Sequence, residues 1–252
     1  MKNFLKLFTP KFGGLIIFLV VGLAFSTTAW GQVLFEENFD YPAGDSLNVL
    51  HGWTVQPTAS YVNPIKVVSP GLTYTNYPSV VGNGAGVDTS GQDIYNTFTS
   101  QSSGSLYASF LVNITKATTA GDYFIHFTES AGSTTFRGRV FAKLSGTDVV
   151  FGLLKGSTGT AAYTTTTYAI NTTHLVVLKY TFNTGSTTDD SVYLFINPTI
   201  GAAEPTPDLR YGSTDVDFVG CAAINLRQGT AANAPRSTVD GIRVGASWPT
   251  IL

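Results

Sequence analysis

The sequence is poor in charge, in sulfur and in the residues that build long helices. Only 12% of its 252 residues are Asp, Glu, Lys or Arg, and it has one cysteine and one methionine. Disordered chains are charged and poor in aromatics, so an aromatic content of 13% excludes that class. The lone Cys221 excludes an internal disulfide, and without a second cysteine or a His-x-x-x-His spacing a zinc site has no sequence support. Helical bundles need Ala, Leu, Glu and Lys in quantity. The excess here is instead in Thr (35), Gly (26) and Ser (20), with many Val, Tyr and Phe, which is strand and turn chemistry.

Long hydrophobic runs are also missing. The most apolar stretch, Leu15–Phe25, has 11 residues, whereas a membrane-spanning helix needs about 18 or more. Lys2, Lys6 and Lys11 precede it, and small residues follow, with Ala29 and Gly31 suited to the −3 and −1 positions of a signal-peptidase site. Residues 1–31 therefore read as a signal peptide cleaved before Gln32, with a cut after Ala29 as the alternative. This predicts a secreted protein, extracellular or at the cell surface, with no stable membrane insertion after cleavage. Cleavage removes three lysines and no acid, leaving 11 basic against 16 acidic residues, a net charge of −5. Duplex binding needs a basic surface, so nucleic acid is excluded as a partner.

Residues 32–252 read as one domain of short alternating runs between Gly, Asn, Asp, Ser and Thr clusters. The predicted strands are Val33–Phe39, Ile65–Val68, Ile94–Phe98, Leu106–Ile114, Tyr123–Thr128, Phe136–Leu144 and Val149–Lys155. Further ones are Tyr168–Ile170, Leu175–Phe182, Ser191–Asn197, Val219–Leu226 and Thr238–Val244. About 12 such strands predict an all-β antiparallel sandwich or barrel. The glycine-rich Val81–Gly86 reads as a loop, not a phosphate cradle.

No Gly-x-Ser-x-Gly elbow is present. Glu36 and Glu37 point to opposite faces of a strand, so they are not a glycosidase pair. Asp215 and Asp217 share a face but read as a solvated loop. Two other acids sit in apolar rows: Glu37 beside Val33, Phe35 and Phe39, and Asp240 beside Ile242 and Val244. Buried carboxylates need partners or a cation. If the first and last strands are neighbours, Glu37 and Asp240 form a candidate calcium site. The alternatives are a hydrogen-bonded pair of these two acids or a salt bridge to Arg243. No cofactor is required, and structural calcium is the one candidate.

The most polar strand face is in Phe136–Leu144, where a period of two aligns Arg137, Arg139, Phe141 and Lys143. A hairpin through Glu129–Thr135 brings His126 near those arginines. Guanidinium groups grip carboxylates in two places, so Arg137 and Arg139 suit an acidic glycan. Tyr107, Tyr123, Tyr163, Tyr168 and Trp53 are candidate stacking rings, although most aromatics in such a chain must belong to the core.

The segments Val33–Gly44, Phe136–Lys143, Leu226–Gly229 and Val239–Trp248 resemble a domain of bacterial secreted and cell-surface proteins. That domain has the concanavalin A-like lectin/glucanase jelly roll, related to laminin G-like modules. The resemblance implies two curved antiparallel sheets of roughly 12–14 strands, with a concave face that binds glycans in many relatives. It implies no activity, since the glucanase Glu-x-Asp-x-x-Glu run is missing. Residues and resemblance together predict a non-catalytic module binding a polysaccharide or glycoconjugate through Tyr107, His126, Arg137, Arg139 and Phe141. A structural or adhesive protein that associates with copies of itself is one alternative. A polysaccharide lyase or hydrolase using His126, Tyr123 and Arg137 is another.

Overall fold

A computed structural model describes residues 31–57, 62–78 and 81–252. The predicted signal peptide lies outside these residues except for Gly31. Fifteen strands and two one-turn helices follow one another along the described chain. They are β1 (Val33–Glu37), α1 (Leu47–Leu50), β2 (Thr54–Val55), β3 (Lys66–Val68), β4 (Gly84–Val87), β5 (Ile94–Gln101), β6 (Gly104–Lys116), β7 (Asp122–Thr128) and β8 (Phe136–Ser145). Then come β9 (Asp148–Leu154), β10 (Ala162–Tyr163), β11 (Thr173–Phe182), β12 (Ser191–Ile196), β13 (Leu209–Gly212), β14 (Cys221–Leu226), β15 (Arg236–Gly245) and α2 (Trp248–Ile251).

The strands form two antiparallel sheets. The first runs β13-β12-β11-β6-β15-β4-β3, with β1 also paired to β15, and the second runs β10-β9-β8-β7-β14-β5-β2. The first and last strands are thus neighbours, as their patterns predict: Glu37 faces Ile242 in register and Phe35 faces Val244. Between the sheets lies one continuous core that includes Phe110, Val112 and Leu178 from the first sheet and Phe124, Phe127, Phe151 and Ile224 from the second. Each large apolar side chain so buried contributes roughly 1.5–3 kcal/mol relative to exposure.

Several predicted ends shift by a few residues, β2, β10 and β13 are strands the pattern did not mark, and two assignments change outright. The run read as a loop at Val81–Gly86 becomes strand β4 from Gly84 onward. Its glycines are needed because neighbours lie too close for a side chain: a Cβ on Gly86 would come within 2.7 Å of Val68, and one on Gly84 within 2.6 Å of Thr238. Around Tyr168 there is only an isolated bridge to Val149.

The outer faces of the two sheets differ. Across the first sheet, α2 covers Tyr107, Val177 and Phe195 with its Trp248 and Ile251. Trp248 donates from Nε1 to the Ala202 carbonyl at 3.0 Å, and Ser109 Oγ donates to the Ile251 carbonyl at 2.6 Å. That part of the face is closed by α2, and Tyr77 with Leu72 and Tyr74 packs over Leu111 and Leu175 beside it. Among the described residues, neither one-turn helix lies across the outer face of the second sheet, where Phe141, Tyr163, Arg139 and Lys143 stay partly exposed while His126 and Asn225 are buried.

Candidate binding face on the second sheet

Register across the second sheet lines up a row of rings. Tyr163 on β10 pairs with Gly152 on β9, Gly152 with Phe141 on β8, and Phe141 with Tyr123 on β7. Paired residues share a face, so three rings lie in one line across four strands, spanning about 14 Å at the usual strand spacing. Gly152 lets the row close up, since a Cβ there would come within 2.6 Å of the Tyr163 ring. Phe141 lies 5.4 Å from Tyr123 and 6.4 Å from Tyr163 between ring centroids.

Cations cap this row. Lys143 Nζ sits 3.9 Å from the Tyr163 centroid. The guanidinium of Arg139 lies 4.8 Å from the Tyr123 centroid and that of Arg227 lies 4.0 Å from it. Such contacts hold a guanidinium flat on a ring and add roughly 0.5–2 kcal/mol, more as they are desolvated. Arg227 follows β14, and its backbone N–H donates to the Phe124 carbonyl. Its Nη1 also lies 2.8 Å from Asp122 Oδ2, and its Nε lies 3.8 Å from Asp93 Oδ2. Burial, partly offset by Arg227, pushes the Asp93 carboxyl up to about 6.

A second row crosses beside the first. Tyr95 on β5 pairs with Asn225 on β14, and Asn225 with His126 on β7. Gln56 Nε2 donates to Asn225 Oδ1, and Asn225 Nδ2 donates to Thr128 Oγ1. His126 is 1% exposed, 5.3 Å from the Tyr123 ring and 4.6 Å from the Phe136 ring. Neither of its ring nitrogens has a hydrogen-bond partner among the described residues. Burial, reinforced by Arg227 and Arg139, holds its pKa well below the ordinary imidazole value, so it is neutral.

The predicted contact residues divide. His126, Arg139 and Phe141 come together on this face, with Lys143 on the same strand. Arg137 does not. Ile125 pairs with Val140 and Phe127 with Arg137, so β8 has one residue more than β7 between them. Gly138, at a φ of 58°, takes up that extra residue as a bulge. Arg137 thereby turns to the core side with Phe127. Its Nε donates to the Val216 carbonyl at 2.8 Å, and its guanidinium lies 5.6 Å from the Phe218 ring. Tyr107 is on the other sheet beneath α2, donating to Glu204 Oε2 at 2.8 Å.

Glu37 and Asp240 also lie away from this face. Glu37 Oε1 accepts the Phe39 N–H at 2.8 Å, and Oε2 accepts Tyr41 Oη at 3.2 Å and Trp53 Nε1 at 3.1 Å. Asp240 accepts the N–H groups of Leu72 and Gly241, each at 2.7 Å. Both carboxylates are held by protein donors, and Arg243 pairs instead with Glu36 at 2.7 Å.

Among the described residues, one acidic group has ligand-like spacing: Asp189, Asp190 and Asp217, with ligand atoms within 4.8 Å of one another. The buried Lys155 ammonium already reaches it, 2.5 Å from Asp217 Oδ1. Asp215 and Asp217 are therefore not a solvated loop, since Asp215 also accepts Thr158 Oγ1 at 2.6 Å and Ser213 Oγ at 2.7 Å. Clefts of about 300 Å³ beside Lys66 and Arg236, and of about 200 Å³ beside Asp190 and Val219, lie elsewhere on the molecule. The candidate face is a shallow row of rings and cations, a shape suited to an extended ligand.

Comparison with solved structures names the architecture. A double mutant of the alginate lyase Aly36B, in complex with alginate tetrasaccharide, matches with a TM-score of 0.52 and 13% identity, over 83% of this chain and 95% of that one. An endo-β-1,4-glucuronan lyase from the fungus Trichoderma reesei matches at 0.50 and 8%, over 87% and 98%. A carbohydrate esterase from the Shiga toxin-encoding bacteriophage phi24B matches at 0.52 and 11%, over 86% and 100%. The fold is a jelly-roll sandwich. At these identities the likeness is one of fold alone. Neither family models nor curated proteins give a match to the sequence.

Arg227, Asn225 and Phe136 escaped the sequence reading as candidates. The signal for the first two was present, because Ala223, Asn225 and Arg227 alternate with the apolar Ile224 and Leu226. That period of two marks an outer face.

Proposed function

We propose that this protein is a secreted carbohydrate-recognition module that binds a polysaccharide along the outer face of its second sheet, without cleaving it. The carrying observation is the in-register row Tyr163–Phe141–Tyr123 with cations at its ends. Ring faces pack against the C–H groups of pyranoses, while guanidinium and amide groups hydrogen-bond to hydroxyls and carboxylates. A row at strand spacing suits a chain of sugars more than a single one. The neighbours named above, a lyase in complex with an alginate tetrasaccharide among them, support the choice of polymer. Titration calorimetry against a panel of soluble polysaccharides tests the reading. One glycan class should bind, and the Phe141→Ala and Tyr163→Ala changes together should weaken it about tenfold or more, at roughly 1.4 kcal/mol per decade. Binding unchanged by both substitutions would remove this face from the account.

One observation favours a second reading, a polysaccharide lyase. β-Elimination from a uronate needs a base for the C5 proton beside a cation that neutralises the carboxylate. Neutral His126, with nitrogens unpartnered among the described residues and beside Tyr123 and Arg139, supplies such a pair once substrate binding uncovers its 1%-exposed ring. Unsaturated, ultraviolet-absorbing oligosaccharides released by the wild type but not by His126→Gln would establish it.

A further inference from the structure

Arg139 stands out among the cations of this face. Arg227 is held by Asp122 and Asp93. Among the described residues, no carboxylate approaches Arg139 or Lys143 within the 4 Å of an ion pair, although Lys155, Lys179, Arg227, Arg236 and Arg243 each have one. The rings of Tyr123 and Phe141 lie 4.8 and 5.7 Å from the Arg139 guanidinium, and its buried Nε has no hydrogen-bond partner among the described residues. Its guanidinium hydrogen-bonds the Tyr123 side chain and feels Asp215 only at longer range, and a partly desolvated cation without a close ion-pair partner is costly in a folded protein. It is also restrained in place, since it lies against two rings and hydrogen-bonds the Tyr123 side chain. Beside it are the two unpartnered nitrogens of His126.

We infer that the ligand of this face is an acidic polysaccharide, one bearing uronate carboxylates, and that Arg139 is the anchor for a carboxylate. The inference rests on the carbohydrate reading above and gives it a substrate class. A planar carboxylate takes two parallel N–H···O bonds from a guanidinium, and it supplies a counter-charge at ion-pair distance, where Asp215 acts only from farther away. Lys143, at the far end of the ring row, attracts the next acidic sugars along the chain. The polarity is local: residues 32–252 carry a net charge of −5, so general electrostatic attraction to a polyanion is not the cause. Arg137, which the sequence alone ranks equally with Arg139, has no part in this contact.

The test compares alginate, the same alginate after chemical reduction of its carboxyls to alcohols, and a panel of neutral polysaccharides, by calorimetry on the purified protein. Charge-assisted hydrogen bonds add roughly 1.5–3 kcal/mol, so the acidic polymer should bind about ten- to a hundredfold more tightly than its reduced form. Its affinity should also fall as salt rises. Arg139→Gln should abolish this preference, and Arg139→Lys should restore only part of it. If Arg139→Gln fails to fold, Lys143→Gln provides the check, with a severalfold smaller preference expected. Equal binding of the acidic and reduced polymers, or binding of neutral polymers alone, would overturn the acidic-ligand inference while leaving carbohydrate recognition intact. Absence of binding to every polymer would overturn both.

Discussion

Arg139 and Arg227 both lie against the ring of Tyr123, their guanidinium carbons 4.8 and 4.0 Å from its centroid. Three strands meet in that contact, since Tyr123 is on β7, Arg139 on β8 and Arg227 just beyond β14. The ring is the mould in which the two cations are held. Tyr123→Phe should therefore keep ligand affinity within a fewfold, because the ring remains. Tyr123→Ala should cost about 3 kcal/mol of stability, and it should weaken polysaccharide binding even where the protein stays folded. Chemical denaturation and calorimetry on both variants separate the two effects.

The Gly138 bulge decides which arginine reaches the outer face. Its φ of 58° is left-handed, and a Cβ there would lie 3.3 Å from Leu178 Cδ2. Gly138→Ala should cost about 1–2 kcal/mol from backbone strain, with further loss from crowding. Binding should drop as well, because Arg139 depends on the bulge for its direction. A variant with unchanged melting temperature and affinity would refute this role.

His126 makes stability depend on acid. Its folded pKa is depressed by burial and by the two arginines, so the folded state resists a proton that the unfolded chain accepts near pH 6.5. This contribution is fully present above about pH 6.5 and is lost as pH falls below it. Relative to wild type, His126→Gln should gain stability between pH 7 and pH 5, as read from urea midpoints.

Asp240 has the opposite sign. Burial, opposed by its two backbone donors, pushes its carboxyl from 3.8 up to about 7, so the folded state holds a proton more tightly than the unfolded chain. Stability from this group is complete below about pH 4 and is lost as pH rises toward 7. Asp240→Asn should lower stability at every pH through poorer hydrogen bonding, yet its deficit should shrink from pH 4 to pH 7. A deficit that grows over that range would show that the carboxyl titrates normally.

The Lys155–Asp217 pair is internal, with the ammonium also donating to the carbonyls of Thr188 and Ser213. Lys155→Met should destabilise by about 3 kcal/mol, since it leaves three acids converging without their cation. Adding Asp217→Asn should recover part of that loss.

Strand rhythm made the sandwich legible, because alternation in Leu106–Ile114 and Leu175–Phe182 reflects a sheet with one face in the core. The pairing of first and last strands and the approach of His126 to Arg139 were legible for the same reason. Arg137 was misplaced because a period of two assumes an unbroken ladder, and one glycine in a bulge shifts the phase. Tyr107 was misplaced because its cover, Trp248, lies 141 positions along the chain and nothing local announces it. β4 was read as a loop because glycines that permit close packing look the same as glycines that permit a turn.

The most direct test of the central claim is to map the bound polysaccharide on the protein by amide hydrogen exchange, with and without ligand. The account predicts added protection on the second sheet, in residues 122–128, 136–145 and 225–228, with the first sheet unchanged. Protection confined to the first sheet, or to the cleft beside Lys66 and Arg236, would contradict it.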